Sequence, residues 1–119
     1  MENTQKRVLV VDDDPAVLRL IALTLRCCGF RVCLANNGWE ALQELSRWRP
    51  QVIVLDMQMP LMDGPTFYRR LREQGWEMPV LIVSALSRVA VARELDAQGY
   101  LAKPFLPEDL IAEVQTLVA

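Results

Sequence analysis

With 119 residues the chain can form one domain with a substantial core and has no room for a second. Apolar residues make up 52% and charged residues 24%, the balance of an ordinary soluble globular protein. The net charge of −2 argues against a nucleic-acid-binding surface, which normally carries a basic stripe. The complete lack of His excludes Ser-His and Cys-His nucleophilic systems, and any histidine phosphorylated within this chain.

The residues from Met1 to Lys6 are polar and show no targeting segment. The first strand is read at Arg7–Val11, running into Asp12, Asp13 and Asp14. Asp14 then reads as the N-cap of a helix over Pro15–Cys28, with Pro at its first position, Val17, Ile21, Leu25 and Cys28 on one face, and Gly29 as its stop. The apolar stretch from Val17 to Phe30 is too short, and too interrupted by Arg19 and Arg26, to span a bilayer, so no membrane and a cytoplasmic location are expected. Cys27, Cys28 and Cys33 make a poor disulfide framework and lack a His for a mixed zinc site; they read as buried structural thiols.

A second strand over Arg31–Ala35 leads into the turn cluster Asn36-Asn37-Gly38, and a helix follows over Trp39–Trp48. A third strand, Val52–Leu55, ends on Asp56. Pro60 and Gly64 read as turn punctuation before a helix over Pro65–Gln74, whose Arg69, Arg70 and Arg72 read as a solvated face. A fourth strand, Val80–Val83, ends on Ser84; a helix is expected over Arg88–Ala97; a fifth strand, Gly99–Ala102, ends on Lys103-Pro104; the last helix is Pro107–Val118. Trp39, Trp48 and Trp76 read as packing residues at helix ends. Alternating short apolar runs and helices imply right-handed βαβ crossovers, a parallel sheet and the α/β class. The fifth strand is short and polar, which suits an edge.

In an open parallel sheet the crevice lies beyond the carboxyl ends of the strands, so Asp12, Asp13, Asp56, Ser84 and Lys103 are expected to converge. Carboxylates that close raise one another's pKa unless a cation neutralises them. Mg2+ suits such a site because it takes oxygen ligands and keeps waters and phosphate oxygens in its shell. Asp56, alone on the middle strand, can attack phosphorus to give an aspartyl phosphate. Lys103 supplies a compact charge and Ser84 a hydrogen bond to the transferring oxygens. Positioning and charge neutralisation are nearly all that phosphoryl transfer requires.

Four segments together, Val10 to Pro15, Leu55 to Pro60 with Met62-Asp63-Gly64, Val83-Ser84-Ala85, and Tyr100 to Phe105, resemble the signature of response regulator receiver domains of two-component, histidine–aspartate phosphorelay signalling. The chain is similar to the single-domain chemotaxis-type regulators of that family over essentially its whole length. The resemblance implies a flavodoxin-like three-layer αβα fold, a doubly wound five-stranded parallel sheet in the order 2-1-3-4-5, and one receiver domain over 1–119. It makes Asp12 and Asp13 the acidic pair, Asp56 the phosphoacceptor and Gln58 a metal ligand through its backbone carbonyl. Ser84 and Tyr100 become the switch pair and Lys103 the site lysine. A histidine kinase or histidine phosphotransfer protein would be the donor. Output would pass through the face formed by the fourth helix, fifth strand and last helix. No catalysis beyond self-catalysed phosphotransfer and autodephosphorylation is expected.

Two departures stand out. Lys103 follows Ser84 by nineteen positions, a few fewer than the family usually has, so the fourth helix or its exit loop is expected to be short. Leu106 stands where an Asp or Ser would cap the last helix. Two alternatives stay open. A haloacid-dehalogenase-type phosphatase uses the same residue types, but its nucleophile follows the first strand in an Asp-x-Asp motif. A degenerate receiver serving as an interaction module would not need the full acidic set and Lys103.

Overall fold

Runs buried on both sides and helices with a single apolar stripe can be satisfied together only in layers. The computed structural model describes residues 6–85 and 89–119. It places β1 (Arg7–Val11), α1 (Pro15–Cys27), β2 (Arg31–Ala35), α2 (Gly38–Trp48), β3 (Val52–Asp56), α3 (Gly64–Glu73), β4 (Val80–Ala85), α4 (Val89–Arg93), β5 (Gly99–Lys103) and α5 (Pro107–Val118) in that order. The strands are all parallel and ordered β2-β1-β3-β4-β5, the doubly wound arrangement expected. The chain winds outward from β1 to β2, then back across to β3, so the order reverses between β1 and β3.

Strand side chains alternate between two cores. Leu9, Val11, Ile53, Leu55, Val80 and Ile82 face α2 and α3, whose Leu45, Phe67 and Leu71 are fully buried. Val8, Val10, Val52, Val54, Leu81 and Val83 face α1 and α5, where Ile21, Leu25, Leu110 and Val114 close the layer. Each such side chain contributes about 1.5–3 kcal/mol relative to exposure.

Helix starts follow the cap residues. Asp14 accepts from the Ala16 amide, Asn37 from Glu40 and Asp63 from Thr66, each at 2.9 Å. α5 begins at Leu106 with no side-chain cap. The fourth helix is shorter than the Arg88–Ala97 expected. Arg88 lies outside the described residues, and α4 ends at Arg93, where i→i+3 bonds from Leu95 and Asp96 tighten the turn and Asp96 turns left-handed (φ 59°).

Two readings are corrected. Arg72 is not part of a solvated face. It is half-buried and donates at 2.9 Å to the carbonyls of Trp76 and Met78 and at 3.0 Å to Gln98, tying the exit of α3 to the start of the β4–β5 pair. The cysteines are not buried thiols. Cys27 is exposed because it falls on the outward face of α1; Cys28 and Cys33 are half-buried, the latter on edge strand β2. Trp48 and Trp76 pack on the core, whereas Trp39 is 49% exposed with the Arg70 guanidinium 5.1 Å from its ring centre.

Candidate functional site

Asp12 prolongs β1 by one residue, its amide donating to the Ala35 carbonyl at 3.2 Å. Its Oδ1 accepts from the Asp14 amide at 2.9 Å, which folds the carboxylate back over the turn, and Asp13 is left exposed beside it. Asp56 ends β3 in register with Val83 of β4. Ser84 pairs with Ala102 and Ala85 with Lys103, so the lysine starts from the outer strand and reaches inward. Its Nζ lies 3.2 Å from Asp56 Oδ1 and 3.3 Å from Asp12 Oδ2. The peptide between Lys103 and Pro104 is cis.

Asp12, Asp56 and Ser84, at 2%, 7% and 4% exposure, are the buried polar side chains among the described residues, and all three line one cavity. That cavity holds about 270 Å3 and is bordered also by Asp13, Gln58 and Lys103. A neighbouring hollow of about 480 Å3 shares Asp13 and Gln58 and extends over Met59, Pro60 and Asp63. Burial, and then the Asp12 charge, push the Asp56 carboxyl above the ordinary carboxylate range against the pull of Lys103 and the Gln58 amide. Burial works to lower the Lys103 pKa, but Asp56 and Asp12 outweigh it and the net shift is upward. A hydrogen bond from Thr66 lowers the pKa of Asp63, which is committed to capping α3.

The structure brings together Asp12, Asp13, Asp56, Gln58, Ser84 and Lys103. It does not bring Tyr100 with them. Tyr100 is half-buried, its hydroxyl donating at 3.4 Å to the Arg93 carbonyl and the Arg93 guanidinium 5.9 Å from its ring centre. Among the described residues Ser84 Oγ makes one long bond, 3.4 Å to the Ala85 carbonyl.

Carboxylate oxygens of Asp12, Asp13 and Asp56 lie within 4.8 Å of one another. Three carboxylates facing one ammonium leave an excess negative charge on hard oxygen donors, half-sheltered and open on the Asp13 side. That donor set fits a divalent, oxygen-preferring cation.

Gly64 carries more than turn punctuation. Its amide donates to the Met57 carbonyl at 3.0 Å, and a Cβ there would lie 2.7 Å from Asp56 O and from Met57 Cα. Only glycine lets the start of α3 approach the strand end that presents Asp56. The adjacent Met62 amide donates back to Pro60 at 2.7 Å across Leu61 (φ 72°), a strained γ-turn that holds Leu61 81% exposed. Asp63-Gly64-Pro65 was the legible signal for the first feature; nothing in the sequence marks the second.

A doubly wound αβα sandwich that gathers acids, a hydroxyl and a lysine at the carboxyl edge of its central strands defines a receiver-type domain. The chain belongs to the response regulator receiver domain family, which residues 8–115 match. It is 42% identical over 118 residues to the transcriptional regulatory protein PrrA of Mycobacterium tuberculosis, covering 97% of this chain and 51% of that one. To the response regulator MprA of Mycobacterium leprae it is 40% identical over 115 residues, covering 94% and 50%. The chain thus spans about half the length of these curated relatives. Among solved structures it is similar to the receiver domain of the Francisella response regulator 1452, with TM-score 0.88, 33% identity, and 96% and 97% of the two chains covered. The chemotaxis protein CheY4 of Vibrio cholerae gives TM-score 0.84 and 32% identity over 94% and 98%.

Proposed function

We propose that this domain accepts a phosphoryl group on Asp56 and converts its presence into a conformational signal. One observation carries the reading: a buried carboxylate on a central strand, crowded by Asp12 and Asp13 and bridged to Asp12 by Lys103. An Asp56 oxygen attacks the phosphorus of a phosphohistidine in a histidine kinase or phosphotransfer protein. The O–P bond forms as the N–P bond breaks, and the imidazole nitrogen leaves with the electron pair. Asp12, Asp13, Asp56 and the Gln58 backbone carbonyl would hold Mg2+, which when bound supplies charge neutralisation for the transferred oxygens. Lys103 exchanges its Asp56 contact for a phosphoryl oxygen, and Ser84, held among the described residues by one long bond, turns to donate to another. The movement of Ser84 frees space beside β4, into which Tyr100 rotates on release from Arg93.

The domain has no turnover of an external ester; water removes its own phosphoryl group from Asp56. Residues 1–119 form one phosphoacceptor unit that acts in the cytoplasm on a protein or output domain through the α4–β5–α5 face. No helix among the described residues is long and apolar enough to cross a membrane. The test is intact mass after exposure to a small phosphodonor. With Mg2+ the parent gains one phosphoryl mass, without Mg2+ labelling falls sharply, and Asp56→Asn gains none. Equal labelling of the mutant would remove the assignment.

A further inference from the structure

On one side the sheet ends at β2, and the outer edge of that strand borders a hollow of about 310 Å3. Arg31 donates to the Lys6 carbonyl at 2.9 Å and Ala35 accepts from the Asp12 amide at 3.2 Å, so both turn their main chain toward β1. Because a strand alternates, Cys33 does the same, while Val32 and Leu34 turn their amides and carbonyls outward. Among the described residues that outward row has one protein partner, the Arg26 guanidinium, which donates to the Val32 carbonyl at 3.1 Å. The Val32 amide and both Leu34 groups are left without one. The hollow beside this row is lined by buried Ala22, half-buried Leu34 and exposed Leu23, with the exposed Arg19 and Arg26 at its margin. These arginines stand seven positions apart on α1, which carries no acid, and neither forms an ion pair among the described residues. On the other face of β2, Glu44 beside Cys33 is already taken by Arg47 at 2.8 Å.

We infer that the β2 edge takes an extended acidic segment of a partner protein as a sixth strand. Its main chain pairs with Val32 and Leu34, an aliphatic side chain fills the hollow, and a carboxylate meets each of Arg19 and Arg26. Charge and spacing select this occupant. Seven helical positions separate the two arginines by about 10 Å along α1, and side chains two before and two after a central strand residue lie about 13 Å apart. The reach of two arginine side chains covers the difference, so the segment reads acid-x-aliphatic-x-acid, a pattern that is the same in either chain direction. Arg26 gives up the Val32 carbonyl to the incoming amide and turns to a carboxylate, so its hydrogen bond is exchanged for a charge-assisted one. A polypeptide fits better than a nucleic acid, because a phosphate backbone offers acceptors and no donor for the Leu34 carbonyl. None of these residues lines the Asp56 cavity, so the edge is separate from the phosphoryl site.

Titration of the isotope-labelled full chain with the capped peptide Thr-Glu-Thr-Val-Thr-Glu-Thr, followed by NMR, tests this. Binding is expected with Kd on the order of 100 µM, weakening as salt is raised. The Val32 and Leu34 amide resonances should move downfield and their hydrogen exchange should slow. Arg19→Glu should weaken binding at least tenfold. Arg19→Glu with Arg26→Glu should abolish it and accept instead the peptide with Lys for both Glu; if melting curves show that double variant unfolded, Arg19→Glu alone decides. The same peptide N-methylated along its five central residues should not bind, since it cannot donate to the edge. No shift at Val32 and Leu34 up to roughly 1 mM peptide would overturn the inference. So would equal binding by the N-methylated peptide or by the reordered Glu-Glu-Thr-Thr-Thr-Thr-Val, which would show charge attraction without strand addition, or an Arg19→Glu chain that binds as the parent does.

Discussion

Asp56 shows how a single side chain trades stability for chemistry. Its carboxyl is raised above the ordinary range by burial and by Asp12, so the native state holds that proton more tightly than the unfolded chain. Stability then falls as pH rises from the ordinary carboxylate range through the raised value, and stays lower above it. Asp56→Asn should therefore raise stability at neutral pH without Mg2+ by about 1 kcal/mol, or roughly 3–6 °C in Tm, and the gain should vanish in acid, where both states carry the proton. Thermal melts across pH check this; an unchanged or lower Tm at neutral pH would contradict it. Lys103 has the opposite consequence: with its pKa raised, its ion pairs stabilise below the ordinary lysine value, and the benefit is lost as pH rises through the folded value. Asp13 is exposed, so Asp13→Ala should leave the fold intact and weaken Mg2+ binding about tenfold or more by calorimetric titration. Gly64→Ala places a methyl 2.7 Å from backbone atoms of Asp56 and Met57, and should cost about 2 kcal/mol in denaturant melts.

At the scale of the element, α5 lacks the cap its neighbours have. Leu106→Asp should stabilise the domain by about 0.5–1 kcal/mol, read in dilute solution by chemical denaturation; no gain would mean another group already satisfies the first-turn amides. The switch is also an element-scale property. With α4 only five residues long among the described residues, beryllofluoride should move amide resonances in 84–105 and α5 and leave α2 unmoved. Shifts centred on α1 or α2 would contradict that confinement. Element starts were legible because Asp14, Asn37 and Asp63 cap locally, through side chains two or three residues from the amides they bind. Arg72 was misread because its partners, the carbonyls of Trp76 and Met78 and the amide oxygen of Gln98, are exposed as a need only once α3, β4 and β5 are assembled. Cys33 was misread for a similar reason, since composition does not show that β2 is an edge strand with thinner cover.

Over the whole molecule, strand alternation implied a parallel α/β sheet, while the order β2-β1-β3-β4-β5 came from resemblance, because periodicity alone does not rank neighbours. The site was legible to the extent that strand ends define it. Asp12, Asp56 and Lys103 each close a strand or follow it directly and Ser84 is the next-to-last residue of β4, and a parallel sheet brings such ends together. Tyr100 was less so, because its position outside the cavity depends on Arg93 at the end of a short α4. The central claim is that Asp56, not its acidic neighbours, carries the phosphoryl group. Its most direct test is borohydride reduction of the phosphorylated chain followed by peptide mass analysis, since hydride converts an aspartyl phosphate to homoserine. Homoserine at position 56 alone is the predicted result. Homoserine at position 12 or 13, or none in a chain that has gained the phosphoryl mass, would contradict it.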